Sequence, residues 1–288
     1  MFDAKSHLEH CVELLSRWRS NYMKAQRLAK LLIVCMMLLL AVAPAWAVTS
    51  GEPDGNDHPY VGLVALYDAE GTYIGRCSGT LLSSTVVLTA GHCTFDAASA
   101  RVYFEPVVEA NLREPGNTGY LGTTVTHPEY ANFAGFPNTH DLGLILLDES
   151  VETETIGELA EPNTLDALAT KRGQQETTFD VVGYGLQSVK PKLQADRVRY
   201  QGTVQFVNLR SALTDGFNLQ HSGSPGKGTG GAGTCFGDSG GPVFLPGTNI
   251  IVAVTSFGLN SNCAGPGFAY RVDIEESLEF INQYLTNS

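Results

Sequence analysis

The sequence is poor in positive charge: 18 lysines and arginines face 30 aspartates and glutamates, for a formal net charge of −12. A protein that grips a phosphate backbone needs a basic face to displace counterions, so nucleic acid is excluded as a partner. Charged residues are few altogether, 17% against 43% hydrophobic, which is far from the polar bias of a disordered chain. No Cys-x-x-Cys pair and no His-Glu-x-x-His motif occurs, and the seven histidines are scattered, so no metal site is expected. No apolar run reaches the ~18 residues that a bilayer span requires. The longest, residues 31–43, has 13.

That run follows Lys24, Arg27 and Lys30 and precedes Ala45-Trp46-Ala47. A cationic start, a short apolar centre and small residues at the cut are the layout of a secretory signal, here residues 1–47. Reading from Met23 gives this signal ordinary proportions, and translation is expected to begin there. Its removal takes away six basic and three acidic side chains, leaving a more acidic chain that is secreted or periplasmic and has no stable membrane anchor. Cys11 and Cys35 go with it, leaving Cys77, Cys93, Cys235 and Cys263 where disulfides persist. Four cysteines allow three pairings. The sequence-local choice, Cys77 with Cys93 and Cys235 with Cys263, closes loops each worth about 3 kcal/mol by chain entropy.

Beyond Tyr60 the chain breaks into short runs rich in Val, Ile, Leu, Tyr and Phe, bounded by Gly, Asn, Asp, Ser and Pro. Residues 61–67, 85–89, 101–107, 142–147, 179–184, 202–207 and 250–257 read as strands of an all-β barrel or sandwich. Helical periodicity is sustained only at the end, where Ile274, Leu278, Ile281 and Leu285 share one face, with Asp273 expected as N-cap and Glu276 three residues on. Residues 158–175, largely polar and containing Pro162, are the candidate linker between two halves. Residues 222–233 are glycine-dense and read as a loop.

Three segments carry chemistry. In Gly237-Asp238-Ser239-Gly240-Gly241 a serine is surrounded by glycines that let backbone N–H groups converge on a developing oxyanion. Alone, this is also an ordinary glycine-rich turn. Thr89-Ala90-Gly91-His92-Cys93 takes a strand directly into a histidine beside a cysteine. His140-Asp141 opens the apolar run that ends at Leu147, so the Asp141 carboxylate is expected to be partly buried and to need a partner such as an imidazole N–H. Asp96, Asp148 and Asp180 compete less well: Asp96 follows His92 too closely to fold back, and Asp148 lies at the exit of the strand.

Taken together, these segments resemble the chymotrypsin-like (trypsin-fold) serine endopeptidases of bacterial type, over essentially the whole chain after residue 47. The order His, Asp, Ser is that family's. Gly183-Tyr184-Gly185, Ser256-Phe257-Gly258 and the stretch 266–272 match as well. The resemblance implies two six-stranded antiparallel Greek-key β-barrels with a C-terminal helix. Residues 48–165 would form the barrel carrying His92 and Asp141, and residues 166–288 the barrel carrying Ser239. Both sequence-local disulfides match bridges of the family.

Carried over residue by residue, the resemblance makes Ser239 the nucleophile, His92 the general base and Asp141 the group that holds the imidazole. The amides of Gly237 and Ser239 would form the oxyanion hole, and no cofactor or metal enters. Gly233, Thr234, Ser256, Phe257, Gly258 and Gly267 would bind substrate. With no charge at its base, the primary pocket would be open and apolar, favouring Phe, Tyr, Leu or Met before the scissile bond. A cut after Ala47 would free Val48 to pair with Asp238 and order the oxyanion hole. The expected partner is a protein or peptide substrate, and the expected state is a monomer. An α/β-hydrolase also has Gly-x-Ser-x-Gly but places its histidine after the serine, whereas the last histidine here, His221, precedes Ser239. The remaining rival is a catalytically silent binding or adhesion protein on the same fold, which has no physical need of the three segments.

Overall fold

The computed structural model describes residues 47–286 except 117, 170–176, 190–192 and 224–230. The expected signal, with its start at Met23, lies outside the described residues, as do much of the glycine-rich loop and part of the expected linker. Among the described residues no helix is long and apolar enough to cross a membrane.

Fourteen strands form in chain order among the described residues: β1 (Glu52–Pro53), β2 (Val61–Tyr67), β3 (Tyr73–Leu81), β4 (Val86–Thr89), β5 (Ser99–Tyr103), β6 (Tyr120–Thr126), β7 (Gly143–Leu147), β8 (Glu158–Leu159), β9 (Thr178–Gly183), β10 (Tyr200–Asn208), β11 (Asn218–His221), β12 (Pro242–Phe244), β13 (Ile250–Gly258) and β14 (Gly267–Arg271). Besides an irregular turn at Ala47–Ser50, the helices among the described residues are α1 (Gly91–Thr94), α2 (Thr164–Leu168) and, after the last strand, α3 (Glu275–Leu285).

The first six-stranded barrel closes in the order β2-β3-β4-β7-β6-β5. The second runs β10-β11-β14-β13-β12-β9 and closes through the β9–β10 pairing. All pairings within both barrels are antiparallel. The two end strands of the stretch 48–165 cross over: β1 pairs with β10, and β8 adds in parallel to β13.

β2 is buried along its whole length because both of its faces are covered. Side chains alternate across a strand, so Val64 and Leu66 enter the larger core while Leu63, Ala65 and Tyr67 pack with Tyr103, Val108 and Leu112. The second barrel closes over Phe179, Val181, Val204, Leu219, Val243 and Val252.

Two expectations fail locally. The N-cap of α3 is Ile274, without a side-chain hydrogen bond, and not Asp273. Asp273 is committed elsewhere: its carboxylate takes the buried Arg271 guanidinium at 2.8 Å and the Leu165 amide at 2.8 Å. A buried cation needs its counter-charge more than a helix end needs a cap. The polar stretch 158–175 is not simply a linker, because it contributes β8 and α2 and buries Ala160 and Leu165 in the second core.

Candidate active site

β4 and β7 are antiparallel neighbours, and their register sets Thr89 opposite Gly143. The chain leaving β4 enters α1, which carries His92, and the chain entering β7 has just passed Asp141. Two segments far apart in sequence therefore meet at one end of the first barrel. The Cys77–Cys93 disulfide ties α1 to β3 beside this junction, and Cys235–Cys263 braces the second barrel's loops.

Asp141 is fully buried. Its carboxylate accepts the His92 backbone N–H at 2.7 Å and the His92 Nδ1 proton at 2.9 Å. It also accepts the Ser256 hydroxyl at 2.5 Å. A carboxylate only accepts, so the neutral imidazole carries its proton on Nδ1 and keeps the Nε2 lone pair free. Burial works against a charged His92, but the charge and hydrogen bond of Asp141 outweigh it and hold the ring above its ordinary value of 6.5.

Ser239 sits on the turn before β12, held from both barrels. Its carbonyl accepts the Ser78 amide of β3 at 2.8 Å, and the next amide, Gly240, donates to Thr255 of β13 at 2.8 Å. Among the described residues no hydrogen bond joins the Ser239 hydroxyl to His92, and both residues line one cleft of about 1020 Å³. Apo catalytic contacts are often loose and tighten only with substrate. The Gly237 and Ser239 amides have no protein acceptor among the described residues, and both residues line the same cleft. Gly237 reaches its conformation at φ 99, a region that favours glycine.

Of the residues expected to bind substrate, Thr234, Ser256, Phe257, Gly258 and Gly267 line this cleft. Gly233 does not. It is buried and joined to Thr49 by a bridge, its amide donating to the Thr49 carbonyl at 3.0 Å. Phe257 stacks on Phe268 at 4.6 Å and meets Phe133 edge-on, forming an aromatic wall beside His92. The contact of the Ser256 hydroxyl with Asp141 is what sequence reading missed, since Ser256 was expected there only to bind substrate.

Val48 is buried in the second core, and among the described residues no hydrogen bond joins it to Asp238. The buried Asp238 carboxylate accepts the Gly185 amide at 2.8 Å and the Cys235 amide at 2.9 Å. Burial pushes its pKa up to about 7, although those amides and the Arg76 charge pull the other way.

Two closed antiparallel barrels with this cleft define the chymotrypsin-like protease fold. The comparisons with known proteins agree. The family described as Trypsin matches residues 50–280. Among curated relatives, a trypsin of Saccharopolyspora erythraea is 30% identical over 226 residues, covering 75% of this chain and 88% of that one. The chymotrypsin-like elastase family member 1 of Felis catus is 26% identical, covering 74% and 80%. Among solved structures, HL collagenase superposes with a TM-score of 0.64 at 21% identity, covering 82% of this chain and 98% of that one. Human heparin binding protein does so at 0.57 and 21% identity, covering 83% and 97%. These two likenesses concern the fold alone. The chain belongs to the trypsin family, and it is a serine endopeptidase acting on protein or peptide substrates.

Proposed function

We propose that Ser239, His92 and Asp141 are the catalytic triad of this endopeptidase. His92 Nε2 takes the Ser239 hydroxyl proton as Oγ attacks the scissile carbonyl. Asp141 keeps the other ring nitrogen protonated and offsets the charge of the imidazolium that forms. The Gly237 and Ser239 amides stabilise the tetrahedral oxyanion, each donor contributing about 3 kcal/mol. His92 then passes its proton to the leaving amine, and water releases the acyl group by the same route. The observation that carries this reading is the doubly bonded His92–Asp141 pair facing the cleft that Ser239 shares.

The glycines and aromatic wall of the cleft support a preference for a large, mainly apolar side chain before the scissile bond. The protein acts as a monomer after export through the signal at residues 1–47. Signal cleavage after Ala47 completes the enzyme. The new Val48 ammonium would supply the full positive partner that the buried Asp238 lacks in the uncut chain, where it receives two backbone amides.

A serine-directed phosphonate tests the triad. It labels the exported protein and fails to label Ser239→Ala. Absence of labelling in both proteins would favour a silent binding protein on the same fold. Amino-terminal sequencing of exported protein tests the activation step, with Val48 expected first.

A further inference from the structure

The last residue of β11, His221, pairs with Gly267, the first of β14. Its ring is fully buried. Nδ1 lies 2.8 Å from the Ser222 carbonyl, which only accepts, so Nδ1 carries the proton. Burial holds the ring below its ordinary pKa and therefore neutral near pH 7. The Nε2 atom is thus a bare acceptor, and it has no hydrogen-bond partner among the described residues. Buried acceptors without donors are uncommon and costly.

The direction of that lone edge is fixed by Gly267. A Cβ placed on Gly267 would stand 2.4 Å from His221 Cε1, 2.7 Å from Nε2 and 3.0 Å from Thr234 Oγ1. Two side chains, His221 and Thr234, thus crowd the position that a side chain at 267 would take, and the ring edge bearing Nε2 faces the glycine. Gly267 and Thr234 both line the cleft that holds His92 and Ser239. His221 does not itself line the cleft: its unpaired nitrogen sits directly behind the Gly267 wall, where any larger residue would collide with the ring.

We propose that His221 Nε2 is the acceptor at the inner end of the pocket for the side chain before the scissile bond, and that it selects a side chain with a neutral donor at its tip, tyrosine above phenylalanine. This rests on the reading of Ser239 as nucleophile. An apolar tip leaves the nitrogen unpaired, which is how polar sites reject analogues lacking a hydroxyl. A lysine or arginine would bring a charge with no counter-charge, and a glutamate would require the buried ring to take up a proton. Tyrosine supplies a flat apolar body for the glycine walls and an O–H at its end.

The test uses the processed protein and matched peptide substrates carrying Tyr, O-methyltyrosine, Phe or Glu before the scissile bond. The expected result is a kcat/KM for Tyr about tenfold above Phe and O-methyltyrosine, the worth of one hydrogen bond. O-methyltyrosine keeps the oxygen but loses the donor, so this comparison needs no variant. In His221→Leu the ratio of Tyr to Phe falls to about one while Phe cleavage persists, and His221→Gln, which retains an acceptor, restores part of it. Equal rates for Tyr and Phe in the wild type, an unchanged ratio in His221→Leu, or fastest cleavage after Glu would overturn the proposal. Active-site titration with the phosphonate separates the two failures. A labelled enzyme without the tyrosine preference sinks this inference alone, whereas a wild type with no titratable Ser239 sinks the nucleophile reading and this inference with it.

Discussion

The Ser256 hydroxyl donates to Asp141 Oδ2 at 2.5 Å, across 115 residues of sequence, and so joins β13 of the second barrel to the carboxylate that orients a histidine of the first. Asp141 can accept about four hydrogen bonds, and His92 and Ser256 together account for those that fix its plane. The two barrels thereby share one hydrogen-bonded unit.

Ser256→Ala is expected to lower kcat/KM about tenfold, within the range for a hydrogen bond to a charged group. The loss should fall mainly on kcat, because the hydroxyl bonds Asp141 while the cleft-lining backbone of residue 256 is retained. Steady-state kinetics on one peptide amide decides it, and a loss confined to KM would mean that the hydroxyl serves substrate binding instead.

The pH profile follows from the raised value of His92. For His92 to act as the proposed base it must be neutral, so kcat/KM is expected to fall as pH drops through a folded-state value above 6.5. Stability runs in the opposite sense. The protonated His92–Asp141 pair stabilises the fold fully below 6.5, and that contribution disappears as pH rises through the folded-state value. A kinetic inflection at or below 6.5 would contradict the influence assigned to Asp141.

What the sequence made legible was whatever depends on local pattern. The run 61–67 coincides with β2 because turn residues bound it on both sides, and the three glycine-flanked motifs each mark a junction of strand and loop. What depends on distant partners was not legible. Asp273 has the spacing of an N-cap, yet Arg271, buried in the same chain segment, claims its carboxylate. β8 and α2 lie in a polar stretch because few of its residues, among them Leu159, Ala160, Leu165 and Leu168, need to face inward. His221 carries no signal at all, since its position behind Gly267 arises from the pairing of β11 with β14.

Gly240→Ala should abolish activity by displacing the Ser239 turn. A Cβ there would stand 2.0 Å from Thr89 Oγ1 and 2.6 Å from the Ala90 amide, at φ 75. Thr89 cannot retreat without breaking its hydrogen bond to the Ser78 carbonyl at 2.8 Å. A stability loss of roughly 1–3 kcal/mol is expected from the overpacking alone. Thermal melting together with phosphonate titration checks both effects, and a variant that labels at the wild-type rate would refute the tight fit.

Asp54→Asn should destabilise the fold by about 3–5 kcal/mol, because it leaves the Arg199 charge buried without its partner. Both side chains are fully buried, with Nε donating to Oδ2 at 2.7 Å. The guanidinium also donates to the carbonyls of Val61 at 3.0 Å and Phe104 at 2.9 Å, so it stitches the first barrel to β10. Burial alone would raise the pKa of Asp54, but the hydrogen bonds and charges of His58 and Arg199 outweigh it and hold the carboxyl below 3.8. A depressed acid contributes stability above its unfolded value that is lost as pH falls through the folded one, so wild type should lose stability on acidification below about pH 4. Asp238 acts oppositely: with its pKa pushed up to about 7, ionisation costs stability as pH rises from 3.8 toward that value. Urea titrations of Asp54→Asn and the wild type between about pH 3 and 8 separate the two carboxyls. The difference between the proteins should shrink at the acid end, and a constant difference would show that the Asp54 charge contributes nothing beyond packing.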